Sequence, residues 1–92
     1  MFYLAFVRVA ESVIVASYGQ PEYGDKVREL VAAPAFRAKA GAGQRMRIKN
    51  GNVAYNFTGD AQGLAVLAVT ASSYPERIVF TGLIDDCLLY TS

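Results

Sequence analysis

Few residues of this chain are of the types that carry out catalysis, and the main candidates are its clustered acidic residues. The clustered carboxylates are Asp60, Asp85 and Asp86. Two carboxylates can act as general acid and base when they are held together beside a substrate. We expect Asp60 on a turn and the other two at a helix end, with no histidine or second carboxylate pair to act with them. They are interpreted as solvated surface groups, and the sequence predicts no enzyme.

The chain also lacks the residues that usually form metal sites, thiol nucleophiles and phosphate-binding loops. The chain has no histidine and one cysteine, so we expect neither a zinc site nor a Cys/His nucleophile pair. The Gly-Ala-Gly at 41–43 lacks the Gly-Lys-Ser/Thr ending of a phosphate loop and precedes a predicted strand. No cofactor and no metal are therefore predicted.

The composition is that of one small folded domain. The 92 residues are 53% hydrophobic, which excludes a disordered chain. A net charge of +1 gives no electrostatic argument for nucleic acid or an anionic membrane as a partner. The apolar opening at 2–10 contains Arg8 and is too short to span a bilayer. We expect a strand there, and reducing cytosol as the compartment.

The last six residues, 87–92, read differently from the rest. Cys-Leu-Leu-Tyr-Thr-Ser is the translation of a common transposase-type sequencing adapter. We interpret 87–92 as a non-native tail and 1–86 as the domain, incomplete at its C-terminus. The alternative is a genuine apolar helix end, which Leu88 and Leu89 would suit.

Strands are predicted from the alternation of apolar residues. Residues 2–9 and 64–69 are apolar on both alternating faces, which predicts two central strands lying side by side. Residues 12–17 and 53–58 are the expected neighbours of these strands. Residues 45–49 alternate cations with Met46 and Ile48, as in a strand near a sheet edge. Asn50-Gly51 predicts a hairpin with a type I′ turn, in which Gly51 supplies a positive φ.

Two helices are expected. The first begins at Gly24 or Asp25, kinks or stops at Pro34, and is followed by a flexible connector at 40–43. Phe36 is expected to pack beyond the break. The second begins with Ser73 as N-cap and Glu76 completing a capping box. Its expected buried stripe consists of Val79, Phe80, Leu83 and Ile84.

The elements predict an α+β domain of order β-β-α-β-β-β-α. Five strands would form an antiparallel-rich sheet. Both faces of the two central strands need cover, so helices should pack on both faces. The second helix would cover only part of its face, and a further last helix is expected to be missing from these residues.

This order resembles the longin domain, a profilin-like fold and the N-terminal module of longin R-SNAREs. Gly-Gln-Arg-Met-Arg-Ile-Lys at 43–49, Gly-Leu-Ala at 63–65 and Tyr-Pro-Glu-Arg-Ile-Val-Phe-Thr at 74–81 are similar, without gaps, to the lipid-anchored, prenylated longin R-SNARE. The similarity covers somewhat under half of the chain. Gly82 stands where the family usually has an aliphatic residue, and Pro34 interrupts the first helix.

The resemblance implies a non-enzymatic regulatory domain in vesicle fusion, on the cytosolic face of endomembranes (ER, Golgi, endosome or vacuole). The domain would fold back on its own downstream SNARE motif, hold it closed, direct sorting and shield a C-terminal lipid anchor. Other SNAREs or trafficking proteins would be further partners. The alternative is a longin-like assembly subunit of a vesicle tethering or adaptor complex, and a profilin-like actin binder is more remote.

Two sets of residues follow from the resemblance. The fold-back groove would lie between the first helix and the edge strand, and its positions are Val27, Leu30, Val31, Met46 and Ile48. The alternative is that all five are ordinary core. The second set is structural and comprises Gly51, Tyr74, Pro75, Arg77 and Phe80. In it Pro75 begins the last helix and Tyr74 seals the end of the sheet, the alternative being a contact surface at Tyr74, Pro75 and Arg77.

Overall fold

The computed structural model describes residues 2–84. Its strands are β1 (Tyr3–Arg8), β2 (Val13–Gly19), β3 (Met46–Asn50), β4 (Val53–Gly59) and β5 (Leu64–Ala71). Its helices are α1 (Gly24–Ala32), α2 (Pro34–Gly41) and α3 (Glu76–Val79), the last continuing as a π-helical turn, Phe80–Ile84. Short 3-10 turns at Val9–Glu11 and Pro21–Tyr23 precede β2 and α1. No helix within 2–84 is long and apolar enough to cross a membrane.

The five strands form one antiparallel sheet of order β2-β1-β5-β4-β3. β1 and β5 pair side by side, from Tyr3 opposite Val69 to Arg8 opposite Leu64. Six consecutive residues of β5, 65–70, are buried. The strand order confirms the prediction of two adjacent central strands. An apolar strand of this kind lies in the middle of a sheet because both of its faces need cover.

The hairpin between β3 and β4 is also confirmed, but its turn differs from the prediction. Asn50 pairs with Val53, so the loop residues are Gly51 and Asn52. Gly51 has a φ of 63°, whereas Asn52 has no positive φ. Because a type I′ turn needs a positive φ at both loop residues, the predicted turn type is wrong. A positive φ at the first position alone is the mark of type II′.

Pro34 divides the first helical region as predicted. α1 ends at Ala32, Ala33 is extended with a ψ of 138°, and Pro34 is the first residue of α2. At that position the missing N–H of proline leaves no helical hydrogen bond unmade. The expected flexible connector at 40–43 is wrong in part, because α2 continues to Gly41 and Ala40 is fully buried.

The predicted capping box on the last helix is wrong. α3 begins at Glu76 with Pro75 as its N-cap, and no side chain caps it. A proline disfavours helical backbone in the residue before it. Tyr74 therefore cannot be the first helical residue, as a Ser73 cap would require.

Helices pack on both faces of the sheet, as expected. α1 and α2 cover one face, called here the α1/α2 face, where Phe36 rests on Phe57 with ring centroids 4.6 Å apart. α3 and its continuation cover part of the opposite face, called here the α3 face. The buried cluster on the α3 face is Leu4, Val66, Ala68, Val79, Phe80 and Ile84. The predicted burial of Val79, Phe80 and Ile84 is thus confirmed, and the Leu83 side chain lies outside the described part of the chain.

Candidate functional site

The predicted groove begins with three residues of α1. Val27 and Val31 are fully buried and belong to the core beneath the helix. Leu30 is partly buried and packs against the same core. Helical spacing places the three on one side of α1, and that side faces the sheet.

The other two predicted groove residues lie on β3, an edge strand of the sheet. Met46 is partly buried and packs against the same core as Leu30. Ile48 lies opposite Tyr55 and is 41% exposed. Since side chains alternate along a strand, Ile48 lies on the same side of β3 as Met46.

The structure therefore places all five predicted residues on the α1/α2 face. Two of them are core, and the three with accessible surface are Leu30, Met46 and Ile48, called here the apolar rim. Leu30 lies on a helix that packs beside α2 and β2, whereas Met46 and Ile48 lie at the opposite edge of the sheet. Their role in binding stays a prediction.

Arg47, between the two rim residues of β3, reaches the α3 face. Its guanidinium donates to Asn56 Oδ1 at 3.1 Å, to the Ser72 carbonyl at 2.9 Å and to the Tyr74 carbonyl at 2.7 Å. Charge-assisted bonds of this kind are stronger than neutral ones. Arg47 therefore fastens the edge strand to the turn that precedes α3, and it leaves the apolar rim on a fixed frame.

Asn56 is the buried partner that orients Arg47. Its side chain has no exposed surface, and its Nδ2 donates to the Ala68 carbonyl at 3.0 Å and to Thr70 Oγ1 at 3.1 Å. Sequence reasoning missed this pair. The signal was an amide in the middle of an otherwise apolar strand, since a buried amide needs partners.

The residues of the second predicted set have structural roles that differ in part from those expected. Tyr74 is 40% exposed, so its side chain does not seal the sheet, and its carbonyl accepts from Arg47 instead. Pro75 occupies the N-cap position of α3 without making a side-chain capping bond, and the carbonyl of the exposed Arg77 accepts from the Thr81 hydroxyl at 2.6 Å. Phe80 is buried, and the Arg45 guanidinium lies 5.7 Å from its ring centroid.

Asp60 lies on the predicted turn, but it is half-buried rather than solvated. Its Oδ1 accepts from the backbone N–H groups of Gln62 at 2.9 Å and Leu64 at 3.0 Å. The carboxylate therefore shapes the turn between β4 and β5. Asp85, Asp86 and the 87–92 tail lie outside the described residues. Among residues 2–84, no group of His, Cys, Asp and Glu side chains could hold a metal ion.

Two shallow cavities flank β2, which sequence reasoning did not single out. One, of about 320 Å³, lies between β2 and α1 and is lined by Ser12, Ile14, Arg28 and Val31. The other, of about 370 Å³, lies on the α3 face and is lined by Phe6, Val15, Ala16, Tyr18 and Leu64. The Phe6 and Tyr18 rings meet edge to face there.

Comparison with known proteins resolves the fold. No protein-family model matches the sequence, and no curated protein matches it. Among solved structures the chain is similar to MglB of Myxococcus xanthus, with a TM-score of 0.67 and 14% identity over 97% of this chain and 81% of that one. MglB has the longin fold.

The fold is longin-like. The predicted fold class is thereby confirmed. A likeness at 14% identity speaks for the fold alone, because one fold serves many functions. The function has to be argued from the surface of this longin-like domain.

Proposed function

We propose that this chain is the N-terminal regulatory longin domain of an R-SNARE that acts in intracellular vesicle fusion. It has no catalytic role. It folds back on the downstream SNARE motif, shields a lipid anchor, and directs sorting on the cytosolic face of endomembranes. Other SNAREs or trafficking proteins are its further partners.

The observation that carries the proposal is the β3 part of the apolar rim, Met46 and Ile48, at one edge of the sheet. A SNARE motif is an amphipathic helix, and such a helix binds by laying its apolar stripe along an apolar groove. Ile48 offers an exposed aliphatic side chain on a strand that otherwise presents Arg47, Lys49 and Asn50. The exposed part of the Ile48 side chain is therefore accessible to the apolar stripe of a bound helix.

The frame beneath the rim supports the same proposal. Arg47 joins β3 to the Tyr74 carbonyl, and both residues belong to the stretches that resemble prenylated longin R-SNAREs. A binding site on an anchored strand loses less entropy when it is occupied than one on a mobile strand. The resemblance and the geometry thus favour the same edge of the sheet.

The proposal is tested with Ile48→Asp in the protein that carries its SNARE motif. In the free domain the new carboxylate can face water, so the stability of the domain should fall only modestly. In the closed form the same carboxylate is buried, at a cost of several kcal/mol. A difference of about 5 kcal/mol is enough to convert a mostly closed population into a mostly open one. Hydrogen exchange should therefore show a SNARE motif that has lost most of its protection.

Val66→Asp is the matched control, because Val66 is fully buried on central β5. It should unfold the domain outright, whereas Ile48→Asp should leave the sheet protected. A SNARE motif as protected in Ile48→Asp as in the wild type refutes the groove assignment. So does a sheet that melts in both variants.

A second candidate function is a permanent assembly subunit of a tethering or adaptor complex. The observation in its favour is the cavity on the α3 face, whose lining includes the exposed Val15 and Tyr18, since lasting interfaces bury such surface. The codons after residue 86 distinguish the two. A heptad-patterned motif with a central arginine supports the SNARE proposal, and a stop after one more helix supports the assembly subunit.

A further inference from the structure

The two edges of the sheet differ in how they are protected. An edge strand presents unpaired N–H and C=O groups, and proteins discourage unwanted pairing there with charged side chains. β3, at one edge, carries Arg47 and Lys49. β2, at the other edge, reads Val-Ile-Val-Ala-Ser-Tyr-Gly and carries no charge. β3 thus has the charged defence, whereas β2 has only a register shift at Val15, which has no partner on β1 between the pairs of Phe6 and Val7.

The β2 edge is accessible along its length. Val13, Val15 and Tyr18 are 46%, 48% and 62% exposed. Within residues 2–84, β2 pairs with β1 and with no other strand. Its outer backbone groups are therefore available to an added strand, which would satisfy them as a sheet neighbour does.

Both sides of this edge also have room for side chains. The cavity beside α1 includes Ile14, and the cavity on the α3 face includes Val15 and Tyr18. Side chains of an added strand would alternate between these two sides. The edge therefore favours an uncharged, β-branched strand.

We propose that the occupant is a second copy of this chain, paired antiparallel through β2. The β2 sequence itself meets the requirement, with the β-branched Val13, Ile14 and Val15 and no charge to repel its own copy. A two-fold axis through the junction would give one sheet of ten strands, five from each copy. It would also bring the two cavities on the α3 face side by side. This inference rests on the sheet edge alone and does not depend on the proposed function.

The test is Val13→Glu in the 92-residue chain, followed by sedimentation equilibrium. Val13 lies opposite Arg8 on β1, so the new carboxylate gains a cross-strand partner and the monomer should keep its stability. In the pair, by contrast, each copy brings a carboxylate into an apolar junction. The dissociation constant should rise by roughly tenfold or more. Circular dichroism checks that the variant is folded.

Ile48→Glu is the matched control, since it places the same carboxylate at a similarly exposed position on the opposite edge. It should leave the dissociation constant unchanged. A wild-type chain that stays monomeric at all concentrations overturns the proposal. So does a dimer that Val13→Glu leaves intact, or one that Ile48→Glu disrupts equally.

A second measurement separates the occupants. In hydrogen exchange, protection of the β2 amides should increase with protein concentration and should be lost in Val15→Lys, which charges the edge at an independent position. Protection that is independent of concentration means that the chain's own residues beyond 84 cover the edge. Protection that appears only when another protein is added means a strand from that protein. Either result overturns pairing between copies.

Discussion

Replacing Arg47 with methionine removes the guanidinium that joins β3 to the turn before α3, while keeping an unbranched side chain of similar length. Three acceptors lose their donor, namely Asn56 Oδ1 and the carbonyls of Ser72 and Tyr74. Tyr74 is exposed and Ser72 is half-exposed, so water can replace the donor at both carbonyls. Asn56 is fully buried, and its oxygen would stay without a partner.

The magnitude follows from this asymmetry. A buried acceptor without a donor costs about 1–3 kcal/mol, and a charge-assisted bond that water replaces costs less. We expect the free energy of unfolding to fall by about 2–3 kcal/mol in Arg47→Met. Arg47→Lys should recover about half of the loss, because an ammonium does not reproduce the fork of a guanidinium. In a cycle with Asn56→Ala, the coupling energy should be about 1 kcal/mol or more.

Urea unfolding measured by far-ultraviolet circular dichroism is the suitable assay, since the chain has no tryptophan. All variants are compared at one protein concentration, because self-association shifts apparent stability. Lys49→Met is the control, an exposed residue on the same strand whose replacement should change stability by less than about 0.5 kcal/mol. If Arg47→Met loses no more than this control, or if the coupling energy is zero, Arg47 does not anchor β3.

The remaining predictions concern Gly59, the last residue of β4, and Asp60 in the turn that follows it. Gly59→Ala should lower the free energy of unfolding by about 2–3 kcal/mol, because a Cβ there would overlap the Ala40 carbonyl oxygen and lie 3.0 Å from its carbon. Asp60→Ala should lower it by about 1–2 kcal/mol through loss of the acceptor for the N–H groups of Gln62 and Leu64. Asp60→Asn, which keeps the Oδ1 acceptor, should lose much less. Both series are measured by urea unfolding.

Each series has a result that would contradict it. Gly82→Ala is the control for the first, since the nearest atom to its Cβ would be Ile78 Cγ2 at an unstrained 3.9 Å. Equal stabilities of the Gly59 and Gly82 variants would show that α2 yields freely at Ala40. Equal losses in the alanine and asparagine variants of Asp60 would show that its charge, and not its acceptor geometry, shapes the turn.

Local pattern was enough to predict the elements that depend on burial. β5 was recognised because an uninterrupted apolar run has no other place than the middle of a sheet. The division at Pro34 was predictable because proline has no N–H for an interior helical hydrogen bond, whatever the tertiary structure around it. The alternation in β3 predicted both its edge position and the side on which Met46 lies.

The turn of the β3–β4 hairpin depended on pairing between strands, which local pattern does not contain. A turn at Asn50 and Gly51 would place Arg47 opposite Ala54. The observed register places Arg47 opposite Asn56 instead, where the buried amide accepts its hydrogen bond. Tertiary pairing of these two side chains therefore outweighs the local preference of Asn-Gly.

The sequence predicted which positions belong to the candidate site, but not which of their side chains are exposed. Val27, Leu30 and Val31 have the same spacing whether a helix side is core or groove, so only the packed structure shows that Leu30 alone of the three keeps accessible surface. The uncharged β2 edge was visible in the sequence as Val-Ile-Val. Only the strand order shows that this uncharged segment lies at an edge of the sheet and not in its middle.

The pairing of β1 with β5 sets an order of events during synthesis. β1 ends at Arg8 and β5 at Ala71, and the two form the middle of the sheet. The hairpins on either side are local in sequence, and contacts of that kind form early. The inner edge of β1 is made well before β5 and must wait unpaired until residue 71 has also emerged. The sheet of this domain is thus joined last at its centre, where its two locally formed halves meet.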